Sequence, residues 1–464
     1  MAVEAQAVAR ELPQRERAVL LVAAGAAFLA LLDTTVANMA VADVRNDFGG
    51  ASVGGATWII TIYAVTFAAL LAPAGRIADV VGRRTLMLAG ISVFTTMSLV
   101  CAAAASLGAL LVARALQGAG AAAMIPASLA IVLFDTPAER RAAAIGAWSA
   151  AGALAAAAGP AISGVLVDLE GWRSLFAINL PFGVAIVAGA IALPAGATGE
   201  GRLPDALGTA LLGAGIGALA LGIAQGPDWG WGSAQVVAAL TAGAFAFGAA
   251  LWRSLHHATP AIETRLWRTR SFAVANLASL LYGAALFPWL LVGVLFLIQV
   301  WGYSPLEAGL AMTPGAIVAA VIALRAGRIV AKRGVRAVVV GGALVLGVAG
   351  LLGAFALPAS PSFVTYWLPV GVLIGVGTGA ITTGLSAAAA LSVAPQRFAA
   401  AIGLNQTGRQ VGGALGVAVL AALLHGRSAP GSGVGPFPHV YLFCTLATVA
   451  AAVAALWLSP KEEP

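Results

Sequence analysis

The sequence predicts an all-α membrane protein of fourteen transmembrane helices, grouped six, two and six, with both termini on the cytoplasmic side. Three observations predict it. Of the 464 residues 61% are hydrophobic and 9% charged, at a mean hydropathy of +0.96, whereas a soluble domain is about a quarter charged. Apolar runs long enough to cross a bilayer follow one another along nearly the whole chain. A ten-residue motif also recurs 252 residues further on, so the chain is built from two related halves.

Taking apolar stretches of about 17 to 25 residues as spans, fourteen fall near 18–41, 54–74, 85–106, 108–134, 142–167, 174–193, 205–225, 233–253, 272–299, 304–324, 337–357, 363–391, 398–424 and 439–459. The first run is longer than the ~7 to 15 residues of a signal-peptide core, so it is expected to be retained as a helix. The organisation expected is a cytoplasmic segment (1–17), an N-terminal six-helix bundle (18–193), a linker with two additional helices (194–271), a C-terminal six-helix bundle (272–459) and a cytoplasmic tail (460–464).

Orientation follows from the basic residues, which stay on the cytoplasmic side near span ends. With the N-terminus inside, twenty Lys and Arg fall in cytoplasmic segments, against Arg45, Arg173 and Arg427 outside. An odd span count would break this alternation. The excess of basic residues, a net +7, therefore reflects loop position and not nucleic-acid binding.

The recurring motif is G-R-I-x-x-x-x-G-x-R, at Gly75–Arg84 after span 2 and at Gly327–Arg336 after span 10. A second echo pairs Ala144-Ile145-Gly146 and Gly159 with Ala401-Ile402-Gly403 and Gly416. Repeated halves about a central site are how secondary transporters achieve alternating access.

Asp33 lies about two thirds of the way across span 1, where a carboxylate is costly and faces a cavity or a partner. Either it is a functional site or a structural ion pair that fixes helix packing. At 1.5 Å per residue, Arg114 in span 4 lies ~10 Å below the outer surface and Asp33 ~12 Å below it, so the two charges share a level. A neighbouring cation favours the ionised carboxylate and desolvation disfavours it, so movement of the arginine could release or capture a proton.

Arg409, about eleven residues into span 13, is open to several readings: binding an anionic group, a carbonyl dipole or Asp33 across a cavity, or capping backbone carbonyls of a Gly-rich helix. Glu307 in Ser304-Pro305-Leu306-Glu307 matches a capping box. Gly152, Gly159, Pro160 and Gly164 put small residues and a proline on one face of span 5, which suits either close packing or a gating bend. Asn38, Trp58, Tyr63, Gln117, Trp148, Tyr282, Trp289 and Arg409 are the candidates to line a mostly apolar substrate cavity.

Other chemistries lack their motifs. Neither Lys332 nor Lys461 follows a glycine, so there is no G-x-x-x-x-G-K-[S/T] phosphate loop. The four histidines form no H-E-x-x-H, and Cys101 and Cys444 form no C-x-x-C, which leaves metal, disulfide and enzymatic readings unsupported.

These residues resemble the major facilitator superfamily. Gly75, Arg76, Asp79, Gly82, Arg83 and Arg84 match its signature loop between spans 2 and 3, Arg114-Ala115-Leu116-Gln117-Gly118 resembles its span 4 motif, and the Gly159-Pro160 segment resembles its antiporter motif. Leu32–Val36, Trp172–Gly183 and Arg409–Gly413 are similar to the fourteen-helix drug:proton antiporters of the EmrB/QacA type. The resemblance implies the major facilitator fold and export of amphipathic drugs, antibiotics or related metabolites in exchange for protons. Asp33 and Arg114 would couple the proton, and the signature loop would act as a conformational latch. It implies a monomer in the bacterial inner (plasma) membrane whose partners are the lipid bilayer, a small amphipathic substrate and protons, with the proton gradient in place of any cofactor or metal. Importers of small metabolites and transporter-like sensors or scaffolds share the fold and are the alternatives. Ala331 stands where a second Asp79 would be, and span 1 runs Asn38-Met39-Ala40-Val41-Ala42 in place of a proline-ended segment.

Overall fold

A computed structural model describes residues 14–48, 53–193, 203–424 and 433–459. Thirteen helices among them are long and apolar enough to span a membrane. One of these, Pro305–Phe355, has 51 residues, about 77 Å at 1.5 Å per residue, more than twice a hydrocarbon core. It is two spans joined at Gly334, whose φ of 79° no helix contains.

The fourteen spans are α1 (Gln14–Asp47), α2 (Val53–Val81), α3 (Arg83–Ala102), α4 (Leu107–Asp135), α5 (Ala138–Glu170), α6 (Ser174–Ala192), α7 (Ala206–Trp229), α8 (Ala234–His256), α9 (Arg270–Gln299), α10 (305–333), α11 (335–355), α12 (Leu368–Leu391, after a π turn over Phe363–Trp367), α13 (Phe398–Leu424) and α14 (Phe437–Ala455). No strand occurs among the described residues. The expected segment ends hold to within a few residues, except that α1 runs on to Asp47, α2 to Val81 and α10 to residue 333. Arg10, Arg202, Arg427 and Lys461, which entered the orientation count, lie outside the described residues.

Burial separates the lipid-facing helices from the central ones. In α4, 78% of the most apolar window is enclosed, whereas in α8 only 17% is, with Phe245, Trp252 and Leu255 exposed. Such exposed apolar surface suits hydrocarbon and not water.

The two halves meet at repeat-related positions, and glycine makes the contact possible. A Cβ on Gly75 would lie 2.3 Å from the Ala399 carbonyl oxygen, and one on Gly403 2.5 Å from that of Leu71, so α2 and α13 touch backbone to backbone. Gly327 and Gly146 do the same to Ala142 and Ala323, joining α10 to α5. The second glycine of each motif copy serves the turn that follows: Gly82 and Gly334 take φ of 107° and 79°, a region open mainly to glycine. The spacing of seven thus joins a close helix approach to a tight reversal. All these contacts lie toward one face of the molecule, here called the latch face.

The additional hairpin α7–α8 covers the α2–α13 seam. Leu212 and Ile216 of α7 and Ala250 of α8 pack with Ala68 and Ala72 of α2, and Leu404 and Val411 of α13 join them. The base of the hairpin is tied by Asp205, which caps α7 by accepting from Gly208 N and also accepts from Arg253 Nη2 at 2.9 Å. That hydrogen bond from Arg253 is the main cause holding the Asp205 carboxyl down to about 2. Glu307 forms the expected capping box with Ser304, and Cys101 and Cys444 are buried free thiols.

Two outcomes are expected. Gly327→Ala forces overpacking at an interface that cannot yield, costing ~1–3 kcal/mol, whereas Gly341→Ala, with nothing within 4 Å, stays within about 0.5 kcal/mol; thermal unfolding in detergent compares them. Because the Asp205 carboxyl is depressed below its ordinary 3.8, its stabilisation is present above that pH and is lost as pH falls through about 2. Limited proteolysis between residues 257 and 263 should be unchanged from pH 7 to 4 and accelerated at both in Asp205→Asn.

Candidate functional site

In an apolar bundle each buried polar group must find its partner inside the protein. Around Asp33 of α1 four other helices supply them. Arg114 and Gln117, three residues apart on one face of α4, both reach the carboxylate: Arg114 Nη1 donates to Oδ2 at 2.6 Å and Gln117 Nε2 to Oδ1 at 2.8 Å. Asn179 Nδ2, from α6, donates to the same Oδ1 at 2.8 Å. Arg114 also donates to Gln117 Oε1 at 2.7 Å and to the Ile59 carbonyl of α2 at 3.0 Å. Ser98 of α3 accepts from both amides, and the Tyr63 ring lies 4.3 Å from the guanidinium carbon. Asp33 and Gln117 are 0% exposed and Arg114 is 1% exposed. The level shared by Asp33 and Arg114 in the sequence is a direct ion pair.

A second feature is a cavity of about 330 Å³ between the halves, on the far side of the latch contacts. Trp148, Tyr282, Trp289 and Arg409 line it, as does Gly152. Three of the cavity candidates lie elsewhere. Gln117 and Tyr63 are drawn into the Asp33 cluster, where the carboxylate and the guanidinium need them, and Trp58 turns outward against Trp229 of α7 at 6.0 Å between ring centroids. The side chain of Asn38 lies outside the described residues. Asp33 is not among the lining residues, although Leu31 and Thr34 beside it are. Arg409 does not reach Asp33; its Nη2 donates to Gln406 Oε1, one turn back in α13.

Gly159, Pro160 and Gly164 pack α5 against its neighbours. Gly159 abuts Thr35 of α1, Pro160 abuts Gly309 of α10, and Gly164 abuts Leu306. The proline therefore sits in the α5–α10 seam between the halves.

At the latch face Asp79 crosses to the other half. It accepts from the backbone N of Ala400 at 2.8 Å and of Ala399 at 3.3 Å, capping the unsatisfied start of α13. Arg83 donates to Asp79 at 2.9 Å and to the Pro395 carbonyl at 2.7 Å, and Arg84 donates to the Ala190 carbonyl at the end of α6. Arg76 pairs with Glu263 at 3.5 Å, and Glu263 pairs with Arg397 at 2.7 Å.

Sequence reasoning missed Ser98, Asn179 and Glu263. Asn179 carried a usable signal, an amide inside a span. Ser98 carried none, since serine is common there, and Glu263 lies in the linker outside every span.

Comparison with known proteins agrees with this architecture. The family model described as Major Facilitator Superfamily matches residues 23–301 and 272–464. The multidrug resistance protein Stp of Mycobacterium tuberculosis is 32% identical over 86% of this chain and 74% of its own. The cephamycin export protein CmcT of Amycolatopsis lactamdurans is 35% identical over 86% of this chain and 83% of its own. The methylenomycin A resistance protein of Bacillus subtilis is 34% identical over 88% and 87%. The crystal structure of the human organic anion transporter MFSD10 superposes with a TM-score of 0.66, covering 97% of this chain and 100% of that one at 17% identity, a likeness of fold alone.

Removing one member of the buried pair strands the other. Arg114→Gln is expected to cost ~3–5 kcal/mol, and Asp33→Asn with Arg114→Gln less than the sum of the two single changes, by ~0.5–3 kcal/mol of coupling. A double-mutant cycle of unfolding in mixed micelles measures it.

Proposed function

The chain belongs to the major facilitator superfamily of membrane transporters, and from that premise we propose that it exports amphipathic drugs or antibiotics in exchange for protons by alternating access. The observation that carries this reading is the ion pair Asp33–Arg114, closed off from an adjoining apolar cavity. The relatives named for multidrug resistance, cephamycin export and methylenomycin A resistance support the direction and the kind of cargo.

The cavity wall is mainly aliphatic and aromatic, with Phe67, Trp148, Phe287 and Trp367 among its residues, a surface suited to amphipathic molecules. The state described has its latch face shut by glycine contacts and by the Asp79 cap on α13. With the termini in the cytoplasm of a bacterial cell and the chain monomeric in the plasma membrane, this is the form whose cavity is sealed from the cytoplasm.

Opening that face requires α2 to leave α13 and α10 to leave α5. A shift within the first half that separated α4 from α1 as that face opened would strip Asp33 of its cation. A bare carboxylate at that depth is costly, and taking a proton removes the cost. Re-forming the pair expels the proton. Each charge moving down a 100 mV potential supplies about 2.3 kcal/mol, enough for a roughly 50-fold substrate gradient. Protons therefore suffice as the energy source.

Expression in an efflux-deficient host should raise the tolerated concentration of at least one amphipathic antibiotic severalfold, and Asp33→Asn should remove that gain. In proteoliposomes, the substrate so identified should drive proton movement opposite to its own; Asp33→Asn should abolish the proton movement and leave substrate counterflow. Full pH-driven export by Asp33→Asn would refute the assignment.

A further inference from the structure

Within the bilayer the two halves treat their buried arginines differently. Arg114 is neutralised by Asp33. Arg409, 7% exposed, has for partner the neutral side-chain oxygen of Gln406, and among the described residues no carboxylate pairs with it. Among the described residues it is also the one Asp, Glu, Lys, Arg or His in the cavity wall. A cation held in low dielectric without a counter-ion attracts one strongly.

The polar groups around it point the same way. Ser149 Oγ and Trp289 Nε1 belong to cavity-lining residues, are buried, and have no hydrogen-bond partner in the structure. Tyr282 and Thr382, also in the wall, share one hydrogen bond of 2.9 Å between their hydroxyls. Ser149 and Arg409 each lie eleven residues from the latch-face end of their helices, both about 16 Å deep at 1.5 Å per residue. The cation and the serine hydroxyl thus sit at one level, contributed by opposite halves. A guanidinium without a facing acid suits a group that only accepts hydrogen bonds.

We propose that the cargo of this cavity is an amphipathic anion, a molecule with an apolar ring or chain and a carboxylate, sulfonate or phenolate head, whose head pairs with Arg409. This rests on the export reading for the direction of transport, but not for the binding chemistry. The apolar body would lie against Leu286, Phe287, Leu290 and Trp367, which also line the cavity. Asp33 does not compete for the arginine, because it is held by three donors outside the cavity. The cationic site and the acidic site are therefore separate, one for substrate and one for the proton.

The charge balance gives a second signature. With one proton exchanged per substrate, outward movement of a monoanion carries two positive charges inward, whereas outward movement of a monocation carries none.

The test uses the full chain in detergent and three probes of nearly equal shape: 2-naphthylacetate, 2-naphthylacetamide and 2-(2-naphthyl)ethylamine, measured by equilibrium dialysis against protein-free micelles. The carboxylate is expected to bind at least tenfold more tightly than the amide or the amine. Arg409→Gln should bring the carboxylate to within about twofold of the amide, with an unchanged gel-filtration profile and thermal unfolding midpoint in detergent reporting that the variant is folded. Arg409→Lys should keep part of the preference. Equal or tighter binding of the amine or amide to the unchanged protein, no measurable carboxylate binding, or a preference that survives Arg409→Gln would overturn the proposal. If Arg409→Gln does not fold, the three probes on the unchanged protein decide. Carboxylate preference without transport in proteoliposomes would sink the export reading and leave this one standing. Export of cations indifferent to Arg409→Gln and to membrane potential would do the reverse.

Discussion

A charge placed below the lipid headgroups has no water to pair with, and the architecture of this chain follows from where its few such charges find partners. Asp33 gathers donors from α4 and α6, and Arg114 in turn gathers an amide and a carbonyl from α4 and α2. One carboxylate thus fixes the rotation of α1, α4 and α6 about their axes. The packing of the first half is ordered around that point, and α4, its most enclosed helix, carries both of the larger side chains involved.

Much of this could be read from the sequence, and the parts that could not share a cause. Apolar run length and basic-residue sorting gave fourteen spans, and the kink at Gly334 follows from a motif copy that placed glycine there. Depth along a helix is also legible, because rise per residue is constant; that is why Asp33 and Arg114 were matched. Azimuth is not legible in spans of nearly uniform hydrophobicity. Gln117 and Tyr63 were therefore expected in the cavity, whereas they face the ion pair. Trp58 turned out to face α7 for the same reason. Asn179 and Ser98 complete the cluster from helices whose adjacency no pattern declares.

The repeat explains the contacts between the halves but not their chemistry. Gly75 with Ala399 and Gly327 with Ala142 are the same contact made twice. Asp79 caps α13, whereas Ala331 at the matching place offers nothing to α5, whose first turn has no side-chain cap. The cap therefore secures one seam, whereas the other is held by close packing and by the Thr313 hydroxyl, which donates to the Ala157 carbonyl at 3.3 Å. Glu263 strengthens the same seam, joining Arg76 of α2 to Arg397 at the head of α13. Since Glu263 comes from the segment that follows α8, the additional hairpin does more than connect two bundles.

That hairpin also decides where the bilayer can touch the protein's interior. Leu212 and Ile216 lie over the α2–α13 seam, so lipid tails do not reach it. Among the described residues the hairpin leaves the α5–α10 seam uncovered, and Val165, Leu169, Leu306 and Leu310 on its flanks are exposed. A pseudo-symmetric carrier would have two equivalent sides; this one has a walled side and an open one. A hydrophobic molecule dissolved in the membrane would meet a single lateral approach, along the groove where Pro160 rests on Gly309.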